Sequence, residues 1–396
     1  MVVKVSKPEI NVREKISELD KPSGTAGQAL LRSETQYQQS DLLGATLNNV
    51  IFNGDMQVAQ RGTSFSTGGS PQFTLDRWYS YPNNATGDVV SQQTDSPDGF
   101  NYNLRITSTN AYTGGNYSML RYKMEDRDTV KLNHSSGFTL QFWVKADNPG
   151  IYTVALLNHV TSGTQRQISK TYIIESSGAW EHKVITWPRD DTIPFGVGLG
   201  YLSIDWHYGK NTGYSSGTLN DKAWADNVSA NRVSNNQTNA HDASGKNWAL
   251  AGVQLVPGRY STGLPFSHRS YGEELALCQR YFYLKGSGTG FGSAESGAGA
   301  YTRMYALPER HPVEMRATPT ISLIPGGSTY FASGGGVTVG TPTGDIGTVQ
   351  NSVHTLYSIN SSTTGVNRLS IGNGFSFTRG MSYVVTSNFI QVDAEI

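Results

Sequence analysis

The chain has 396 residues, with 31 basic side chains balanced by 31 acidic ones; this neutrality argues against nucleic acid or an anionic membrane as main partner, because both need a basic excess. Apolar residues make up 37% and charged residues 16%, with 44 glycines and 21 tyrosines, a mixture suited to many short strands joined by polar turns. A single cysteine, Cys278, excludes an intrachain disulfide and any zinc site of several thiolates, and no run of about 18 apolar residues exists to cross a bilayer.

Residues 1–48 read as helical, in two pieces. The opening MVVKVSKPEI lacks an apolar signal core, so synthesis in a cytoplasm is expected. Asn11 and Glu14 fit a capping box, after which Val12, Ile16 and Leu19 recur at i, i+4 and i+7. Lys21-Pro22-Ser23-Gly24 breaks the pattern, and a second, polar helix is expected over 26–43, ending at Gly44. Short isolated helices are marginal in water. The segment is therefore expected to be an anchor, docked on another chain or wound with its own copies through Val12, Ile16 and Leu19; a helical cap on the next domain is the alternative.

Residues 49–270 hold all seven tryptophans, a sign of a separate core. Asn53-Gly54 after an apolar run signals a hairpin. From 138 to 146 the alternation is clean, with Phe138, Leu140, Phe142, Val144 and Ala146 on the inner face. A turn at Asp147-Asn148-Pro149-Gly150 leads to a buried strand at 151–157, and further strands fit 104–107, 171–174, 182–187, 201–204 and 248–255. Short strands without intervening helices point to a central jelly-roll β-sandwich.

Residues 271–396 begin with a second capping box, Ser270 and Glu273, opening a helix with Leu275, Cys278 and Phe282 on one stripe. Strands separated by glycine clusters follow. The strict alternation of 390–396 predicts a half-buried final strand. The whole is expected to be mainly β: an N-terminal helical anchor, the sandwich, and a small C-terminal β domain preceded by a helix.

Catalytic signatures are weak. Gly213-Tyr214-Ser215-Ser216-Gly217 matches a nucleophile elbow, yet polar loop flanks it on both sides. The eight histidines fall singly, and no phosphate-binding loop is present. Glu125-Asp126 reads as a solvated charge cluster and Asp190-Asp191 as an exposed turn, with a calcium site as its alternative. No catalytic residue, metal or cofactor is assigned. The aromatics say more: Trp143 points opposite to the core row of its strand, while Trp206, Tyr208, Tyr214 and Trp224 lie in a long polar stretch. Flat rings beside amides and carboxylates suit sugars, so these five are the candidate glycan contacts.

A resemblance then emerges. Glu9-Ile10-Asn11-Val12-Arg13-Glu14-Lys15 with Glu18-Leu19-Asp20-Lys21-Pro22-Ser23-Gly24 resembles the N-terminal segment of tailed-phage virion structural proteins, often labelled tail fibre proteins. Asn53-Gly54-Asp55-Met56-Gln57-Val58-Ala59-Gln60-Arg61-Gly62 with Asp76-Arg77-Trp78 is similar to the start of their sandwich. Gly252-Val253-Gln254-Leu255, Pro265-Phe266, 269–281 and 312–319 are similar to its end. The resemblance implies a particle component, homotrimeric and found on the virion, that joins another virion protein through 1–48 and displays β domains toward host surface polysaccharide. A head-decorating or collar protein is the alternative, and a polysaccharide depolymerase a third reading that would need a carboxylate pair.

Overall fold

The structure, a computed structural model, describes residues 49–396 except 83–86, 112–117, 135–136, 161–162, 197–199, 210–211, 297–300, 307–308, 318, 324–329, 333–336, 340–345, 351–353 and 363–381. The expected anchor, with Val12, Ile16 and Leu19, lies outside the described residues. Strands in chain order are β1 (Ser64–Ser66), β2 (Gln72–Phe73), β3 (Trp78–Pro82), β4 (Asp88–Gln93), β5 (Asn103–Ser108), β6 (Ser118–Glu125) and β7 (Gly137–Ala146). After these come β8 (Gly150–His159), β9 (Arg166–Ile174), β10 (Glu181–Pro188), β11 (Tyr201–His207), β12 (Ala225–Asp226) and β13 (Asn247–Pro257). They form two antiparallel sheets, β1-β4-β5-β13-β7-β10 and β12-β9-β8-β11-β6-β3-β2.

β7 obeys its alternation: Phe138, Leu140, Phe142, Val144 and Ala146 enter the core. Aromatic rings join the two sheets, with Phe142 meeting Trp206 of β11 at 5.9 Å between centroids and Tyr172 of β9 at 5.2 Å, both edge-on. The turn after β7 carries the chain from one sheet to the other, so β7 and β8 are not a hairpin pair.

Two sequence expectations need correction here. Asn53-Gly54 makes a turn without a hairpin. The Asn53 side chain accepts from Val58 N (2.8 Å) and donates to the carbonyls of Val58 (2.8 Å) and Asp76 (2.9 Å). The apolar run before it leans on β13, Val50 N donating to Leu255 O and Val253 N to Gly54 O. Those bonds flank the register shift between Ala251 and Gln254, where Gly252 adopts φ +56°. Glu125-Asp126 is not a solvated cluster. Glu125 ends β6 and accepts from Arg280 and from the Tyr281 hydroxyl, while Asp126 opens the short α1 (Asp126–Thr129) and accepts from Gly196 N (2.7 Å).

The capping box at Ser270 and Glu273 forms as expected and starts α2 (Tyr271–Gln279). The helix stops before Phe282, because Tyr281 and Phe282 are drawn under two guanidinium groups, Arg77 at 3.4 Å and Arg61 at 3.5 Å from the ring centres. Phe282 instead begins β14 (Phe282–Ser296). The remaining strands are β15 (Tyr301–Ala306), β16 (Glu309–Arg310), β17 (Thr320–Leu323), β18 (Tyr330–Ala332), β19 (Val337–Val339), β20 (Ile346–Gln350), β21 (His354–Ser362) and β22 (Ser382–Asp393). They build a third antiparallel sheet, β16-β21-β15-β14-β22-β18-β19, with β17 beside β22 and β20 beside β21. The chain's last residues alternate as expected, Val392 and Ala394 being buried, and Ala394 N donates to Tyr281 O. Buried Arg77, itself at φ +73°, pairs with Glu395 and so ties this end of the chain to the sandwich.

Candidate functional site

The outward residues of β7 are Thr139, Gln141, Trp143 and Lys145, and the first two are covered. Segment 258–268 crosses the outer face of the first sheet and is held there through its backbone by outward side chains of β7 and β13. Thr139 donates to Gly258 O (2.8 Å) and accepts from Tyr260 N (2.9 Å). Gln141 exchanges two bonds with the Leu264 backbone (2.7 and 2.8 Å), and Gln254 accepts from Ser267 N (2.7 Å). The cover ends beside Trp143. There it leaves a cleft of about 250 Å³, lined by Trp143, His182, Gly252, Phe100, Phe266 and His268 with Asp98, Gly99, Gln141 and Leu264.

Each wall has a local cause. His182 stands opposite Trp143 in the β7–β10 register, ring to ring at 5.0 Å. Phe100 sits against Gly252, where a Cβ would come within 2.5 Å of its ring, so only glycine at the bulge admits it. Phe266 meets Phe100 edge-on at 5.0 Å, and His268 lies 5.4 Å from Phe100. Burial, with Lys183 adding to it, holds His182 below the usual imidazole range, so it is neutral at pH 7. Beyond Trp143 on the same face, the Lys145 ammonium lies over the Trp180 ring (4.8 Å) and donates to Asp95 (2.6 Å), which also accepts from Arg105. Burial opposes the Asp95 charge, but hydrogen bonds from Lys145 and Asn103 and the nearby cations hold its carboxyl below the usual range.

This arrangement offers an aromatic floor, two imidazoles, an amide and one carboxylate, with the lysine and arginine of this face engaged by Asp95. It can pack the C–H face of an uncharged sugar ring while polar walls meet its hydroxyls.

Of the five aromatics singled out from sequence, Trp143 alone lines the cleft. Trp206 and Tyr208 are a correction: Trp206 belongs to β11, Tyr208 follows it directly, and both rings are fully buried in the core. Trp224 is also buried, donating to Pro188 O (2.8 Å) and packing on Phe195 at 5.6 Å. Tyr214 is half-buried beneath Arg232, whose guanidinium lies 4.5 Å from its ring. Asp190 is no exposed turn: it is buried, takes the Arg166 guanidinium (2.8 Å) and accepts from Thr192 N (3.0 Å). Sequence reasoning missed Phe100, His182, Phe266 and His268. For His182 a signal existed, its place opposite Trp143 on an adjacent alternating strand.

No family model matches this chain, and no curated protein matches it. Solved structures give partial likenesses. The enzymatically active domain of bacteriophage CBA120 tailspike protein 4 is 15% identical over 52% of this chain, with a TM-score of 0.29; this chain spans 21% of that one. A family 11 carbohydrate-binding module from Clostridium thermocellum, solved with a β-1,3-1,4-mixed-linked tetrasaccharide, is 16% identical over 50% of this chain and 96% of its own, with a TM-score of 0.26. A family 16 carbohydrate-binding module is 12% identical over 42% and 84%, with a TM-score of 0.24. At these scores none decides what this chain binds.

Proposed function

We propose that the sandwich is a glycan-binding domain whose cleft takes an uncharged sugar residue on the Trp143 ring. The observation that carries this reading is the position of Trp143: an indole turned away from the core, left uncovered where segment 258–268 ends, and flanked by the imidazole of His182 and the amide of Gln141. Binding rather than hydrolysis is the reading, since Asp98 is the one carboxylate among the residues lining the cleft and glycoside cleavage ordinarily needs two. The full chain on an array of neutral glycans is expected to retain one class of them. Trp143→Ala should abolish that retention while costing no more than about 1 kcal/mol of stability. Retention unchanged by Trp143→Ala, or none by the unaltered chain, would overturn the assignment.

The sequence blocks at 9–15, 18–24, 53–62, 76–78, 252–255, 265–266, 269–281 and 312–319 support a wider reading, in which the chain is a homotrimeric fibre component of a tailed-phage virion, anchored through residues 1–48 and displaying the sandwich to host polysaccharide. Antibody against the sandwich should label purified particles. Its failure to do so would remove the virion role while leaving the cleft untouched.

A further inference from the structure

The second sheet has an outer face of different character. Alternation on β6 puts Met119, Arg121, Lys123 and Glu125 outward, on β11 it puts Tyr201, Ser203 and Asp205 outward, and the β2–β3 edge adds Phe73, Tyr79 and Tyr81. These side chains meet across the registers. The Lys123 ammonium lies 4.9 Å from the Tyr79 ring centre, 5.3 Å from that of Tyr201 and 5.9 Å from that of Phe73. Phe73 and Tyr79 pack edge-on at 4.8 Å, and Tyr201 stacks on His159 at 4.1 Å. A lysine thus stands among half-buried rings.

The hydrogen-bonding balance of this face is one-sided. Asp205 is fully buried and is used by Arg121, whose Nε and Nη2 each donate to it at 2.7 Å. Ser203 Oγ is bonded to His159 Nε2 at 3.1 Å. The side-chain carboxylates are therefore engaged, Glu125 by Arg280 and the Tyr281 hydroxyl, and donors remain: Arg121 Nη1, two of the three Lys123 N–H groups after one is given to the Ile396 backbone oxygen, and the Tyr79 and Tyr201 hydroxyls, which bond to no described residue. No aspartate or glutamate side chain among the described residues ion-pairs Lys123. The cleft on the opposite sheet shows the reverse, with its cations engaged by Asp95 and a carboxylate in its lining.

We propose that the outer face of the second sheet is a separate binding site for an acidic polysaccharide, in which Lys123 and Arg121 Nη1 receive the sugar carboxylates while the rings of Tyr79 and Tyr201 pack on sugar faces. Surplus donors with cationic character select an acceptor-rich, negatively charged ligand. The rings supply the apolar contact that a bare cation lacks. Because the two sites lie on opposite sheets, loss of one leaves the other.

The probe is polygalacturonate, with its fully methyl-esterified form as uncharged control, titrated against the full chain. Polygalacturonate is expected to bind, more weakly as salt rises, and the ester at least about tenfold more weakly. Lys123→Gln should weaken polygalacturonate binding by about the same factor, whereas Trp143→Ala should leave it unchanged. Tyr201→Ala gives a second variant that keeps every charge and should also weaken binding. Equal affinity for acid and ester, binding indifferent to both Lys123→Gln and Tyr201→Ala, or no binding would each overturn the proposal. So would self-association in sedimentation abolished by Tyr201→Ala, since the face would then be occupied by a second copy.

Discussion

The two outer faces of the sandwich place similar residue types in opposite electrostatic settings. On the first sheet Asp95 holds Lys145 and Arg105 near the surface, its own side chain 52% exposed, and Trp143 lies alongside. On the second sheet Asp205 holds Arg121 with no exposed carboxylate surface at all, and Lys123 donates to the Ile396 backbone oxygen with no aspartate or glutamate side chain among the described residues pairing it. Ion pairing on the first face is a screened surface arrangement, whereas on the second it belongs to the foundation of the sheet. Tryptophans divide by the side of the strand from which they project: Trp143, outward on β7, lines the cleft, while Trp206, inward from β11, is structural.

The largest effect should separate the two tryptophans. Trp206→Ala empties a core position shared with Trp78 and Phe142 and should cost about 3–5 kcal/mol in denaturant unfolding. Trp143→Ala should cost no more than about 1 kcal/mol, its loss appearing in glycan retention instead. Equal destabilisation by the two would mean that Trp143 is a packing residue and that the comparison is wrong. Next come the carboxylates. Asp205→Ala strands the Arg121 guanidinium, of which only 12% is exposed, and should cost about 3 kcal/mol, while Asp95→Ala should stay below about 1 kcal/mol. Urea titrations of both variants in one buffer test that ranking.

How much of this was readable beforehand varies with the kind of signal. β7 was legible because its core row is apolar without exception, and the outward position of Trp143 followed from the same alternation. From sequence β11 reads as ending at Ile204, because Asp205 and His207 look like loop residues. They are outward members of an alternating strand, tolerated under cover because Arg121 neutralises Asp205 and because His207 is held uncharged. Reading them as loop carried Trp206 and Tyr208 onto the surface, where they do not belong. The Asn53-Gly54 hairpin failed for a related reason: the Asn53 side chain spends its hydrogen bonds on Val58 and Asp76, fixing a turn that needs no second strand. The cleft itself was illegible, since Phe100, Trp143, His182 and Phe266 meet only through strand order and the path of segment 258–268.

Acid should lower stability through the buried groups of the second face. Burial pushes His159 down to about 4 and His207 to about 3, from an ordinary 6.5. At intermediate pH the unfolded chain therefore binds more protons, so the stability these imidazoles contribute is full above about pH 6.5 and falls as pH drops through their folded values. Burial works against the Asp205 charge, but Arg121 more than offsets it and holds the carboxyl at about 2; its contribution is full above about pH 4 and is lost toward pH 2. Melting temperature should fall steadily from pH 7 to pH 4, and His159→Gln should flatten part of that slope. A flat profile would contradict the buried, uncharged state of both rings. At the alkaline end Lys123 is pushed down to about 8 by burial and by Arg121 and Arg77, against Glu395 and Asp205. Any polygalacturonate binding should weaken as pH rises through that value, while neutral-glycan binding at Trp143 should not.

The smallest effect tests the first face at its bulge. Gly252 combines φ +56° with a Cβ position 2.5 Å from the Phe100 ring, so Gly252→Ala both strains the backbone and pushes that ring away. The backbone cost should be about 1 kcal/mol, because a single alanine in the left-handed region is tolerable where the surrounding ladder is intact. The displaced Phe100 should matter more to the ligand than to the fold, since it forms a wall of the cleft opposite no charge and its packing partners Phe266 and His268 are themselves at the rim. Neutral-glycan affinity should thus drop by a larger factor than the unfolding equilibrium shifts, and polygalacturonate binding should be untouched. If Gly252→Ala instead lowered both affinities together, the two faces would be coupled through the core, and their independence would have to be abandoned.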